Sequence, residues 1–272
     1  MKLTVLTDNN SMSCTMQPEH GLCMMLSTPQ LNILLDAGPS GRFIQHAAQM
    51  GVDLTAVDYV FLSHGHNDHT GGLRPFLQIN SKARIIVAEE ALTNRFFSHR
   101  NGRKDIGTND DFNDYHQRFI HELSDISHTG IRIFATSKTD FPTPKANATL
   151  TCTNANDEMP DDFSHERILT IEDEGKLIVF TGCAHKGILN ILAEVENRLG
   201  RPADIAIGGL HLPDGDFEIE AEIVELATEL KAHFPNTRLL TGHCTGEKAF
   251  AILQRELGAQ LQLFYTGLSI NL

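Results

Sequence analysis

The chain has 272 residues, of which 41% are hydrophobic, enough to bury a large core as one domain or two close-packed halves. Its formal net charge of −13 argues against a nucleic-acid backbone as partner, and no apolar run approaches the length of a membrane span. Cys14, Cys23, Cys152, Cys183 and Cys244 are scattered, without zinc-finger spacing, and point to a reducing cytoplasm rather than a disulfide framework.

The opening MKLTVLTDNN reads as a short strand and a turn, without the apolar h-region of a secretion signal. Strands are predicted at Leu3–Leu6, Leu22–Leu26 and Leu31–Leu35, the last running into Asp36-Ala37-Gly38. A helix is predicted from Gly41 to Met50, with Gly51 as its stop, followed by a buried strand over Val57–Leu62. After the motif SHGHNDHTGG come a short helix from Leu73 and a strand at Arg84–Val87. The stretch from Thr93 to Asp162 is polar, with one good strand at Ile131–Phe134. Its basic run Arg95–Lys104 reads as a solvated loop. The whole stretch reads as a lid-like insertion in a single domain over 1–272.

The last third is regular. Strands Ile168–Ile171 and Leu177–Phe180 flank the hairpin turn Asp173-Glu174-Gly175. A helix with Ile188, Leu192, Val195 and Leu199 on one face closes at Gly200. Strand Ile205–Ile207, a helix capped by Asp216, strand Arg238–Leu240, a helix over Glu247–Leu257 and strand Leu261–Phe264 complete the alternation expected of an α/β layer fold.

The chemistry concentrates in SHGHNDHTGG. In an extended segment residues i and i+2 share a side, so His64 and His66 can grip one ion. Asp68 and His69 follow a turn and face a second ion, while Gly71 and Gly72 let the backbone pass close to the site. Imidazole and carboxylate together suit Zn, Fe or Mn. Ser63 and His64, as strand neighbours, are expected to point to opposite faces. Three later segments repeat the form apolar strand, Gly, His, and bring His185, His211 and His243 to strand ends. Alternating helices imply parallel strands, whose carboxyl ends share one edge, where α/β folds place their ligands.

With Glu19-His20-Gly21-Leu22, Leu35-Asp36-Ala37-Gly38, SHGHNDHTGGL, TGCAHKGILNIL, IGGLHL and TGHC, the chain resembles the metallo-β-lactamase superfamily. Within it, the match is to a subfamily of metal-dependent hydrolases that includes a dihydropterin–aminobenzene ribofuranoside 5′-phosphate synthase. The resemblance implies an αβ/βα sandwich of two mixed sheets with outer helices. It also implies a dinuclear site of two divalent ions, with zinc favoured over iron or manganese. His64, His66, Asp68 and His69 match the first metal motif, and His243 the late histidine of the second. Cys183 stands where the family carries a bridging Asp, and the third family histidine is replaced by His185 or, less directly, by His165 in Phe163-Ser164-His165-Glu166.

The expected function is hydrolysis of a small anionic, phosphorylated or pterin-like molecule, with Asp68 orienting the attacking water or taking its proton. His211 would bond the substrate oxygen, Lys186 a phosphate, and His20 would enter the pocket. The alternatives are a pterin-type synthase with a pyrophosphate leaving group, and a non-catalytic metal- or ligand-binding protein. The expected partner is a small molecule, with neither nucleic acid nor membrane.

Overall fold

The computed structural model describes residues 1–108, 110–121, 130–154, 157–215 and 217–272, which fall into two units. The first comprises Met1–Ser124, Thr149–Arg167 and Tyr265–Leu272. Its seven-stranded sheet has the spatial order Ser269–Asn271, Lys2–Thr7, Cys23–Ser27, Asn32–Leu35, Tyr59–Phe61, Arg84–Ile86 and Phe119–Ile120. Pairing is antiparallel as far as Asn32–Leu35 and parallel beyond it. Val60, Phe61 and Leu62 are completely buried, which is why this strand reads as an unbroken apolar run. Helices Arg42–Gln49 and Leu73–Ile79 bring Phe43, Ala47, Leu73 and Phe76 into one core with Leu34, Val60 and Ile85. Gly51 takes φ +68°, a left-handed stop to the first of these helices.

A second, four-stranded sheet of this unit was not foreseen. It runs Asp157–Pro160, Leu150–Asn154, Arg95–Ser98 and Lys104–Asp105, so the basic run expected to be a loop contains one of its strands and the start of another. The strands are short, and Asp157–Pro160 is exposed throughout, leaving no apolar alternation to betray it. The 93–162 stretch is shared between the units, since Ile131–Phe134 belongs to the other one.

The second unit comprises Asp125–Ala148 and Ile168–Phe264. Its six-stranded sheet runs Leu261–Leu263, Arg238–Thr241, Ile205–Ile207, Lys176–Phe180, Ile168–Asp173 and Ile131–Phe134. The first four are mutually parallel, as the alternation with helices requires. The hairpin turn places Glu174 at φ +50° and Gly175 at φ +79°, the left-handed pair that matches strand twist. Helices Ile188–Leu199, Glu220–His233 and Glu247–Leu257 supply Leu192, Val195, Ala227, Leu230 and Leu253 to one core with Val179, Ala206 and Leu239. The helix cap expected at Asp216 lies outside the described residues; the helix starts at Glu220, and Glu222 Oε2 accepts from the Ile219 backbone N–H at 3.1 Å. The α/β expectation of mixed sheets flanked by helices holds, with the four-stranded sheet in addition. No described helix is long and apolar enough to cross a membrane.

Candidate metal centre

In the first unit the chain leaves the Tyr59–Phe61 strand, turns, and enters a short helix, Asn67–Thr70. That turn places three buried imidazoles side by side. The His64 ring lies 4.5 Å from that of His66 and 4.2 Å from that of His69, centroid to centroid. His64 Nε2 and His66 Nδ1 are 3.1 Å apart. Asp68 Oδ2 lies 3.7 Å from His69 Nε2 and 3.5 Å from His20 Nε2. His20 itself is exposed, and the Asn9 side-chain amide donates to its Nδ1 at 3.0 Å, which leaves the Nε2–H turned to Asp68.

Asp36, at the end of the Asn32–Leu35 strand, braces this group from behind. His69 Nδ1 donates to Asp36 Oδ2 at 2.6 Å, and the Ser63 hydroxyl donates to the same oxygen at 2.8 Å. The Ser63 backbone N–H donates to Asp36 Oδ1 at 2.7 Å. Contrary to the strand-based expectation, Ser63 and His64 do meet: Ser63 Oγ lies 2.9 Å from His64 Nδ1. The strand has already ended at Phe61, so alternation no longer governs them. Because Ser63 gives its proton to Asp36, it accepts from His64 Nδ1–H. Both His64 and His69 are thereby fixed in the tautomer that leaves Nε2 as a lone pair, the arrangement that carboxylate partners impose on metal-binding histidines.

The backbone is drawn in as well. A Cβ on Gly72 would stand 2.1 Å from the Ala37 carbonyl oxygen, and one on Gly71 would stand 2.4 Å from that of Pro39. The Ala37 N–H donates to His69 O at 2.7 Å, and the Gly72 N–H to Gly38 O at 2.9 Å. Asp36 takes φ +56°, a left-handed conformation that Asp tolerates better than most residues. Imidazole lone pairs beside a carboxylate fit a borderline divalent ion such as zinc, iron or manganese.

Behind His66 sits a second buried pair, Asp161 and His165. Their donor atoms and that of His66 lie within 4.8 Å of one another. The Gly65 N–H donates to His165 Nδ1 at 3.0 Å, so His165 Nε2 carries the proton and faces Asp161 Oδ2 at 3.2 Å. Burial pushes His165 down, against the opposing pull of the Asp161 carboxylate. Burial alone would raise the Asp161 carboxyl, but the hydrogen bond from His165 and the nearby His66 ring hold it well below the usual range.

The second unit carries the remaining predicted residues. Cys183, His211 and Cys244 have donor atoms within 4.8 Å of one another. His185 is buried with its ring 4.1 Å from that of His211, and His185 Nδ1 meets Asn147 Oδ1 at 3.0 Å. Asn147 also donates to the His185 carbonyl at 2.8 Å, so it grips both ends of that residue. His211 and His243 sit at φ +47° and +51°, conformations that cluster at functional sites. Burial would raise the Cys244 thiol, but the Cys183 and His211 side chains and the charges of His243 and His211 hold it well below the usual thiol range. Lys186 is half-buried, and its carbonyl accepts from the Asn190 side chain at 2.7 Å. Sequence reasoning gave no role to Asp36, Asp161, Asn147 or Cys244. Asp36 and Cys244 lie inside quoted motifs and could have been found there, whereas Asn147 and Asp161 carry no local signal.

A profile described as the metallo-beta-lactamase superfamily matches residues 16–137. An uncharacterized protein of Methanocaldococcus jannaschii is 24% identical over 93% of this chain and 94% of its own length. From the same organism, the 7,8-dihydropterin-6-methyl-4-(beta-D-ribofuranosyl)-aminobenzene-5'-phosphate synthase is 24% identical over 92% of this chain and 88% of its own. Among solved structures, Tm1679, a metal-dependent hydrolase of the beta-lactamase superfamily, is 26% identical with a TM-score of 0.82, covering 100% of this chain and 99% of that one. With the His64, His66, Asp68 and His69 motif in place, the metallo-beta-lactamase superfamily is what the chain is similar to, by the profile over residues 16–137 and by fold along its whole length.

Proposed function

We propose that the protein is a metal-dependent enzyme that hydrolyses a small anionic substrate, phosphorylated or pterin-like, in the cytoplasm. The observation that carries this reading is the braced imidazole set. Asp36 and Ser63 fix His64 and His69 in the tautomer that leaves Nε2 as a lone pair, as a metal-binding imidazole requires. His64, His66 and His69 would hold the ion. When bound, such an ion supplies Lewis acidity and brings the pKa of a water near neutrality.

The remaining work falls to residues of the chain. Asp68, partly exposed and facing His20 and His69, orients the attacking water and receives its proton. His20, exposed at the rim and tied to Asn9, keeps its Nε2–H toward Asp68 and is placed to touch an arriving substrate. A net charge of −13 favours a small anion drawn to a local cation over a polyanion bound across the surface.

The synthase relative favours a second reading, group transfer, for which we propose pyrophosphate as the leaving group. One experiment addresses both. The purified chain is incubated with a panel of phosphate esters, and separately with a dihydropterin pyrophosphate plus an arylamine phosphate. Hydrolysis products alone support the first reading, and a joined pterin–arylamine product supports the second. Asp68→Ala should abolish turnover while circular dichroism stays unchanged. Turnover surviving in Asp68→Ala would overturn the role given to that carboxylate.

A further inference from the structure

We propose that the second unit carries a binding pocket, separate from the metal centre, for a small organic cation with an apolar body, an aromatic or alkyl amine. A cavity of about 240 Å³ opens between the start of the Ile188–Leu199 helix, the Glu220–His233 helix and the segment from Phe141 to Lys145. Its walls are Phe141, Ile188, Leu189, Leu212, Ile223 and Leu226. An apolar cavity of about 150 Å³ holds benzene, so this one has room for a ring and a short chain. None of the histidine and cysteine donors described above is among its lining residues.

The pocket is preformed. Asn190, 3% exposed, clamps Phe141 from the neighbouring helix. The Phe141 backbone N–H donates to Asn190 Oδ1 at 2.8 Å, and the Asn190 amide donates to the Phe141 carbonyl at 2.9 Å. Gly187 takes φ +84°, and a Cβ there would stand 3.0 Å from the Pro142 carbonyl oxygen, so glycine is what lets the segment lie this close. Walls fixed through buried hydrogen bonds do not need to collapse onto one another, which is how ligand pockets stay open.

The rim sets the charge of the ligand. Glu218, Glu222, Glu225 and Glu229 line the cavity with a single cation, Lys145. That lysine is already engaged: its Nζ pairs with Glu222, and its backbone N–H donates to Glu218 Oε1 at 2.6 Å. Glu229 Oε2 meets His233 Nε2 at 3.2 Å, and the His233 ring lies edge-on to Phe141 with centroids 5.4 Å apart, so acidic rim and apolar wall are contiguous. Glu225 is exposed. Four carboxylates against one ammonium give a concave patch of negative potential, which draws cations and repels anions. An amine offers donors to these carboxylates at one end and apolar surface to the walls at the other. The anionic substrate proposed for the metal centre has the wrong charge for this pocket, so the pocket does not depend on the proposed hydrolytic function.

The test uses the full chain with tryptamine as the probe. The chain contains no tryptophan, so the fluorescence anisotropy of the indole ring reports binding without a competing indole signal. The expected result is saturable binding of one tryptamine per chain. Indole-3-propionate, with the same ring and a carboxylate in place of the amine, should bind at least about tenfold more weakly. In Glu225→Gln/Glu229→Gln that preference should narrow by about threefold to tenfold, the scale of two exposed charges. Leu226→Phe, which enlarges a half-buried wall residue, should weaken both ligands while circular dichroism stays unchanged. His64→Ala should leave tryptamine binding as it was. Absence of saturable binding, equal affinity for the two ligands, or a preference untouched by the two glutamine substitutions overturns the proposal. Loss of tryptamine binding in His64→Ala would place the amine at the metal centre and overturn it equally.

Discussion

His69 Nδ1 donates a 2.6 Å hydrogen bond to Asp36 Oδ2, and both side chains are wholly shielded from solvent. Asp36 also takes both protons offered by Ser63, so one carboxylate positions two of the three motif imidazoles. Asp36→Asn keeps the size and tolerates the left-handed backbone, but its amide nitrogen cannot accept. Metal affinity should fall by about 10- to 100-fold. Calorimetric titration with zinc reads this directly, and unchanged affinity would show that the carboxylate does not orient the ligands.

Gly72 passes so close to the Ala37 carbonyl that a methyl group has nowhere to go. Gly72→Ala should destabilise the chain by at least about 2 kcal/mol, the scale of overpacking in a rigid region. Urea unfolding checks the loss. Metal affinity should fall with it, because the Gly72 N–H holds Gly38, two residues beyond Asp36.

Ion binding to the native state alone should stabilise the fold by mass action. Zinc at one hundred times its dissociation constant would add about 2.7 kcal/mol. Thermal unfolding should shift upward with zinc in the unaltered chain and reverse with a chelator. In His66→Ala the upward shift should shrink. An equal shift in both proteins would place the stabilising ion elsewhere.

Glu194 offers a pH-dependent test away from the site. Burial would raise its carboxyl, but the Arg198 guanidinium and the Ser137 hydroxyl and backbone N–H together hold it below the ordinary value of 4.5. The folded chain therefore binds this proton less readily than the unfolded chain. The stabilisation is complete above the unfolded value and is lost as pH falls through the folded one. Glu194→Gln should cost about 1–2 kcal/mol at neutral pH, the scale of a hydrogen-bonded charge. The difference from the unaltered chain should vanish in acid, as urea unfolding across a pH series would reveal.

The elements that the sequence made legible are those whose burial is periodic. Ile205–Ile207 is buried at every position, and Glu247–Leu257 buries Ala249, Ile252, Leu253 and Leu257 along one face, so both could be read with accurate bounds. The Asp157–Pro160 strand buries nothing and could not be read at all. Within the site, His64, His66, Asp68 and His69 were legible because a short turn fixes their spacing. Asp161 was not, because its link to His66 spans nearly a hundred residues of chain and depends on where the Leu150–Asn154 hairpin ends. The Ser63–His64 contact was misjudged because the strand ends at Phe61, one residue sooner than its apolar run suggests.

The first unit's sheet is edged by Ser269–Asn271, paired antiparallel to Lys2–Thr7. During synthesis the ribosome makes nearly all of the second unit, through Phe264, before that edge strand exists. The emerging polypeptide must therefore carry Lys2–Thr7 with one side unpaired while the later half is being built. During that interval the free edge of Lys2–Thr7 is open to pairing with a neighbouring strand.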